Sequence, residues 1–394
     1  MKIIYYCQHI WGVGHFFRSL EICKALAAHE IIMVSGGPEV DTPVPAHVRI
    51  VRLPGLMTDR NYSGLFPTDK GRTLDAVKAE RQKILFQLFE RESPEIFVVE
   101  LYPFGRKAFR FELDPVLESI RCGRIHRSVV VCSLRDILVE KKDPAAYEKR
   151  VVGILNRWFD KLLVHADPKL VGLDATFSRL GDIAIPVVYT GFITPRPMTA
   201  IRGQIRSGLG VDDDAFLIVA SAGGGQAGIV LLEPLVECFP ELTADRPAVL
   251  CVFTGPYMPD AEFARLLVRA DRHLKIERFS PDFLSLLASA DLSISMGGYN
   301  TSMNLLATRI PALVWPYPGD REQGLRADRL AQIGAVTVLK ESDLQPERLV
   351  EIIRDRILNP ETVSHSIDLD GAASTARHIE RATAADSETT FYRQ

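Results

Sequence analysis

Short apolar runs alternate with helical patterns along this chain, and the series occurs twice. "MKIIYYCQHI" reads as a strand, "FFRSLEICKALAAH" as a helix with apolar residues at helical spacing, and "EIIMVSG" as a second strand. "EIFVVEL", "SVVVCSL" and "KLLVHAD" extend the series, which halts at "VVYTGFITPRPMTA" (187–200), where prolines and a glycine mark an interdomain linker. It resumes with "AFLIVASAGGGQAG", "AVLCVFTG", "ADLSISMGG" and "PALVWPYP". Such a pattern predicts an α/β protein with two doubly wound, Rossmann-like domains facing a cleft, ligands lying at the C-terminal strand ends. The expected division is 1–195, 196–370, and a tail over 371–394 returning as a helix to the first domain. A chain of 394 residues is too long for one ordinary core, which agrees with that division.

Charge and cysteine usage exclude several classes. A formal net charge of −3 argues against a nucleic-acid partner. Six cysteines are scattered without a CxxC pair, as buried reduced thiols of a cytoplasmic protein would be. The N-terminus opens on a strand pattern rather than a signal peptide, and no apolar run approaches 18 residues. The expected location is cytoplasmic, with at most peripheral contact with the inner face of a membrane. Aromatics beside basic residues in "ILFQLFERE" and "FGRKAFRF" allow such contact, although a helix face packed on the core reads the same way.

Three glycine-bearing turns carry the candidate chemistry. "GVGHFFRSLEI" places Gly12 and Gly14 between a strand and a helix. It is not the dinucleotide fingerprint, since Phe17 stands where the third glycine belongs. His15 is expected at the strand end, facing the cleft, where a near-neutral imidazole suits a general base. "SAGGGQAG" (221–228) spends three consecutive glycines, which favours a backbone cradle for phosphate. "GGYNTS" (297–302) adds a second glycine–helix turn, with Asn300, Thr301 and Ser302 as plausible caps. Two such turns in one domain suit a diphosphate. The loop "GDREQ" supplies Asp320, Arg321, Glu322 and Gln323, which can grip sugar hydroxyls. No acidic pair or His/Cys cluster has ligand spacing, so neither a metal nor a cofactor is expected.

These motifs together resemble the GT-B glycosyltransferases of family 28, the group containing MurG. The resemblance rests on "GVGHFFR", "SAGGGQAG", "RFSPDFLSLLASADLSIS" and "MGGYNTSMNLLATRIPALVWPYPGDREQGLRADRL". It implies that the second domain binds a UDP-sugar, UDP-N-acetylglucosamine being the first to try. Phe279 and the Ser280 backbone would meet the uracil. Gly224, Gly225 and Gln226 would approach the diphosphate, with Gly298 and Thr301 at the second helix start. Glu322 and Gln323 would hold the sugar. Asn304 stands where the family usually has a glutamate gripping the ribose, a departure that bears on nucleotide preference.

The implied reaction is an inverting transfer of a hexose or N-acetylhexosamine to a hydroxyl acceptor, small, glycan or lipid-linked. His15, or a carboxylate such as Asp136 or Glu100, would take the proton. The rival reading is a UDP-sugar hydrolase of the same fold with water as acceptor. Against it stands the added segment 53–77, which could line an acceptor pocket. A UDP-sugar 2-epimerase lacks a recognisable acidic motif here, and a nonenzymatic nucleotide-binding protein is the bland alternative.

Overall fold

The computed structural model describes residues 1–394 except 10–13, 38, 41, 59–63, 140, 198–200, 213–214, 226, 245, 360–361 and 392–394, and the side chains beyond residue 382. Backbone packing divides the chain into two compact units, Met1–Ile193 with Asp368–Gln394, and Thr194–Ile367.

The first unit is built on strands β1 (Lys2–Cys7), β2 (Glu30–Ser35), β3 (Val48–Arg52), β6 (Ile96–Glu100), β7 (Val129–Arg135), β8 (Lys161–His165) and β9 (Val187–Tyr189). They form one parallel sheet in the order β3-β2-β1-β6-β7-β8-β9. Helices α1 (Gly14–Ala25), α2 (Leu74–Glu92), α3 (Arg110–Arg121) and α4 (Pro144–Trp158) supply the crossovers. A short antiparallel hairpin, β4 (Leu56–Thr58) with β5 (Leu65–Pro67), lies between β3 and α2. Central strands are buried on both faces, which is why their sequences read as continuous apolar runs.

The second unit repeats the plan with β10 (Phe216–Ser221), β11 (Ala248–Phe253), β12 (Leu274–Glu277), β13 (Leu292–Met296), β14 (Ala312–Trp315) and β15 (Thr337–Val338). These are parallel, in the order β12-β11-β10-β13-β14-β15. Their helices are α5 (Arg202–Leu209), α6 (Ile229–Thr243), α7 (Asp260–Leu267), α8 (Phe283–Ser289), α9 (Tyr299–Thr308), α10 (Arg321–Gln332) and α11 (Pro346–Leu358). Leu231, Leu235, Phe239, Leu250, Leu349 and Ile353 close the core between α6, α11 and the sheet.

The last helix, α12 (Gly371–Phe391), packs on α1 in the first unit, Ala376 and Ile379 joining the cluster of Phe16, Leu20 and Cys23. Lys161 Nζ donates to the His378 carbonyl at 3.2 Å, and the buried Thr375 Oγ1 lies 3.3 Å from His165 Nδ1. A second buried network centres on Arg81, which forms a bidentate pair with Glu112 and donates to Gln8 Oε1 and the Pro54 carbonyl, both at 2.7 Å. It ties α2 and α3 to the chain just after β1.

One expectation changes. Residues 187–189 belong to the sheet as β9, so the linker starts later than "VVYTG" suggests. The added segment 53–77 contains the hairpin and the start of α2, capped by Thr73.

Candidate active site

In a doubly wound sheet the strand order reverses beside the first strand, and the loops leaving the strands there diverge and open a crevice. The reversal falls between β1 and β6 in one unit and between β10 and β13 in the other. Every glycine turn singled out in the sequence follows one of these four strands.

At the first reversal, Gly14 opens α1 and His15 stands in its first turn, not at the strand end expected from the sequence. Its Nδ1 is 2.6 Å from Glu100 Oε1 at the end of β6. Arg18, one helical turn on, donates Nη2 to the same oxygen at 2.7 Å and lies 3.0 Å from Nδ1. A lone pair on Nδ1 would repel the carboxylate, so the geometry assigns the proton to Nδ1, donated to Glu100. Nε2 is then the basic nitrogen, and among the described residues it has no hydrogen-bond partner.

Burial pulls the His15 pKa down to about 4, with Glu100 acting upward and Arg106 and Arg18 downward. The imidazole is thus neutral through the physiological range, where a near-neutral pKa was expected. Glu100 is almost wholly buried, and although burial opposes its ionisation, His15, Arg18 and Arg106 together hold its carboxyl well below the usual range. Glu100, offered by the sequence as an alternative base, is engaged by His15 and Arg18 at once. Asp136 lies buried just past β7, its Oδ1 3.7 Å from Arg135 Nε. Gly12 lies outside the described residues.

At the second reversal, the turn after β10 is a crossing of glycine backbones. Gly223 and Gly225 have φ of 62° and 96°, and Gly255 after β11 has 85°. A Cβ on Gly225 would stand 2.4 Å from the Thr254 carbonyl oxygen, and one on Gly255 would stand 2.4 Å from that of Gly223. These two glycines are required by backbone packing before any ligand enters. Gly224 is different: a methyl there would meet nothing closer than Tyr257, at 3.8 Å. Gln226 lies outside the described residues.

The turn after β13 faces the same place. Gly298 is the N-cap of α9, in extended conformation with no side-chain cap. Asn300, Thr301 and Ser302 therefore lie inside the helix rather than capping it. A Cβ on Gly298 would meet nothing within 4 Å, and one on Gly223 would lie 3.9 Å from Thr301 Oγ1. So β10 and β13, paired side by side, bring both glycine turns together with an uncapped helix N-terminus between them. Behind the turn sits Arg326 of α10, fully buried, its Nη1 3.5 Å from the Gly297 carbonyl and its guanidinium over the Tyr299 ring. Sequence reasoning passed over Arg326 and Arg18. For Arg18, the i, i+3 spacing from His15 was an available signal.

Phe279 is 60 % exposed after β12, an aromatic face open to a planar base, while Ser280 Oγ accepts from Asp282 N–H at 3.2 Å. Asn304 lies half-buried on α9, its Oδ1 accepting from Thr194 at 3.4 Å. In "GDREQ", Asp320 is the N-cap of α10 and accepts from the backbone N–H of Glu322 and Gln323. Gln323 uses both ends of its amide inside the loop, on the Tyr317 N–H and on Asp320. Asp320 and Gln323 thus build the loop, and Glu322 is the carboxylate it presents beside the Gly297–Gly298 turn, its Oε2 3.9 Å from Arg326 Nη2. Among the described residues no group of three or more His, Cys, Asp or Glu side chains could hold a metal, and no helix is long and apolar enough to cross a membrane.

Two doubly wound units, each with glycine turns at its strand-order reversal, are the plan of the GT-B fold. Residues 219–381 match the family model described as glycosyltransferase family 28 C-terminal domain. Over those residues the chain is similar to that family, and it is MurG-like.

Among its relatives, the UDP-N-acetylglucosamine--N-acetylmuramyl-(pentapeptide) pyrophosphoryl-undecaprenol N-acetylglucosamine transferase of Gloeothece citriformis is 27 % identical over 48 % of this chain and 49 % of its own. The enzyme of that name from Natranaerobius thermophilus is 27 % identical over 68 % of this chain and 72 % of its own. The chain spans about half the length of the first of these relatives. Acinetobacter baumannii MurG shares the fold at a TM-score of 0.52, 14 % identity and 98 % coverage of both chains.

Proposed function

We propose that this protein is an inverting, metal-independent glycosyltransferase that moves a hexose or N-acetylhexosamine from a UDP-sugar to an acceptor hydroxyl. The observation that carries the reading is the neutral His15, its Nδ1–H held by a buried carboxylate and its Nε2 left without a protein partner. That is the arrangement a general base needs. The acceptor oxygen attacks the anomeric carbon as the bond from that carbon to the diphosphate oxygen breaks. The acceptor proton passes to Nε2, and the resulting imidazolium faces the Glu100 carboxylate. The leaving UDP gains negative charge, which the uncapped N-terminus of α9, the glycine turn before α6 and the buried Arg326 are arranged to receive. The base belongs to one unit and the donor turns to the other.

The relatives named above support UDP-N-acetylglucosamine as the first donor to test. A thermal-shift panel of nucleotides and nucleotide sugars checks the donor, with UDP and its sugars expected to give the largest stabilisation. Clearly stronger stabilisation by GDP or dTDP would overturn the base assignment. Release of UDP from the sugar nucleotide at the same rate with and without acceptor would point to water as the acceptor.

A further inference from the structure

The backbone immediately after Glu100 is unusual. Leu101 and Arg106 both have positive φ, 67° and 56°, and they bracket a tight turn closed by Gly105 N–H donating to the Leu101 carbonyl at 2.8 Å. Positive φ is costly for residues with side chains and persists only where the surroundings impose it. Here they do. Tyr102, Pro103 and Phe104 are buried, and Tyr147 of α4 donates its hydroxyl to the Phe104 carbonyl at 2.7 Å. A rigid turn therefore presents Arg106 at the same sheet reversal that holds His15 and Glu100.

What Arg106 does there is not explained by the fold. Its Nε is buried without a hydrogen-bond partner, and among the described residues its guanidinium has no ion pair. Its neighbour Arg110 is paired with Asp114 at 3.2 Å, so the sequence does provide carboxylates where it needs them. Charge counting sharpens the point. Glu100 is balanced by Arg18, and His15 is neutral, which leaves the Arg106 charge over. An unpaired, partly desolvated guanidinium next to a general base calls for an oxyanion, since its planar fork matches carboxylate and phosphate.

We propose that Arg106 is a specificity residue for the acceptor, binding a phosphate or carboxylate group carried close to the hydroxyl that reacts. The inference rests on His15 being the base, because that identifies this end of the sheet as the acceptor side. It adds that the acceptor is an anion and names the residue that selects it.

The test uses the full chain with saturating UDP, so that added anions do not report on the donor turns. Inorganic phosphate and acetate are titrated separately by calorimetry at constant ionic strength, which distinguishes the two oxyanion sources. Wild type should bind at least one of them. Arg106→Asn, a residue that tolerates positive φ, should weaken that binding roughly ten- to hundredfold. Arg110→Gln should leave it unchanged. Arg106→Lys keeps the charge without the fork and should lose affinity several-fold, a second reading should the Asn variant not fold. Histidine-selective NMR adds a readout that a structural role would not move: the bound anion should raise the His15 pKa in wild type and not in Arg106→Asn. Absence of binding by wild type, or equal binding by wild type and Arg106→Asn, overturns the proposal. Failure of UDP itself to bind would count against the donor reading alone, since the difference in anion binding between wild type and Arg106→Asn still reports on Arg106 without it.

Discussion

Replacing Glu100 by Gln removes one charge and almost no volume. Gln Oε1 can still accept from His15 Nδ1 and from Arg18 Nη2, so the imidazole keeps its orientation. What it loses is the counter-charge for the imidazolium that forms during transfer. With Nδ1 and Oε1 2.6 Å apart, the two charge centres are separated by about 4 Å, worth about 4 kcal/mol at an effective dielectric near 20. Arg18 shares the same oxygen and already draws on that field, so about 3–4 kcal/mol remains, or roughly 10²–10³ in turnover. Donor KM should change little, because the donor turns belong to the other unit. Steady-state UDP release from UDP-N-acetylglucosamine with acceptor reads both parameters. In wild type, kcat/KM should be flat from pH 8 down to about 5.5, with its acid limb near the depressed His15 pKa of about 4. Glu100 is the group that raises that pKa, so Glu100→Gln should move the limb lower still. Residual turnover above a third of wild type, or a wild-type acid limb near 6.5, would refute the reasoning.

Stability should fall with acidification for a stated reason. His15 and His165 are buried neutral, with pKa values lowered to about 4 and about 3 mainly by burial, so the unfolded chain binds more protons below pH 6.5. Each contributes stability that is complete above pH 6.5 and declines by up to about 1.4 kcal/mol per pH unit below it. Urea midpoints should therefore drop markedly from pH 7 to pH 5, and His165→Gln should flatten that dependence. Gly298→Val should weaken UDP binding with little change in melting temperature, since the added atoms enter open space before α9. Gly225→Val, by contrast, should lower the melting temperature, because its Cβ meets the Thr254 carbonyl at 2.4 Å and its φ is 96°. Arg81→Met leaves Glu112 buried without its partner and should cost about 3–5 kcal/mol in denaturant titrations. Turnover should persist in excess chelator; collapse followed by rescue with magnesium or manganese would count against leaving-group stabilisation by helix termini alone.

The doubly wound plan was legible because its central strands are buried on both faces and so stand out as apolar runs. The missed strands are short or lie at sheet edges: β3, "VRIVR", carries two arginines, β12 is only "LKIE", and β15 spans two residues. The glycine turns were legible as turns, but not which glycine does what. Gly225 and Gly255 touch only once the strands are assembled, so the packing duty of Gly225 resembled ligand contact. His15 was visible, while its link to Glu100 spans 85 residues and has no local signal. Nor does a sequence show desolvation, the main cause of the low His15 pKa. Asp320 drew notice as a sugar ligand through its loop; its capping of α10 follows from a helix start immediately after it.

Comparison of His15→Ala with wild type probes the proposed division of labour most directly. Turnover of UDP-N-acetylglucosamine with acceptor and the Kd for UDP would be measured on the same preparations. Loss of Nε2 should lower turnover about 10²–10⁴-fold, the usual contribution of positioned proton transfer, while UDP binds as in wild type. Near-normal turnover in His15→Ala would contradict the assignment and return Asp136 to consideration as the base; a parallel loss of UDP affinity would contradict the separation of base from donor site.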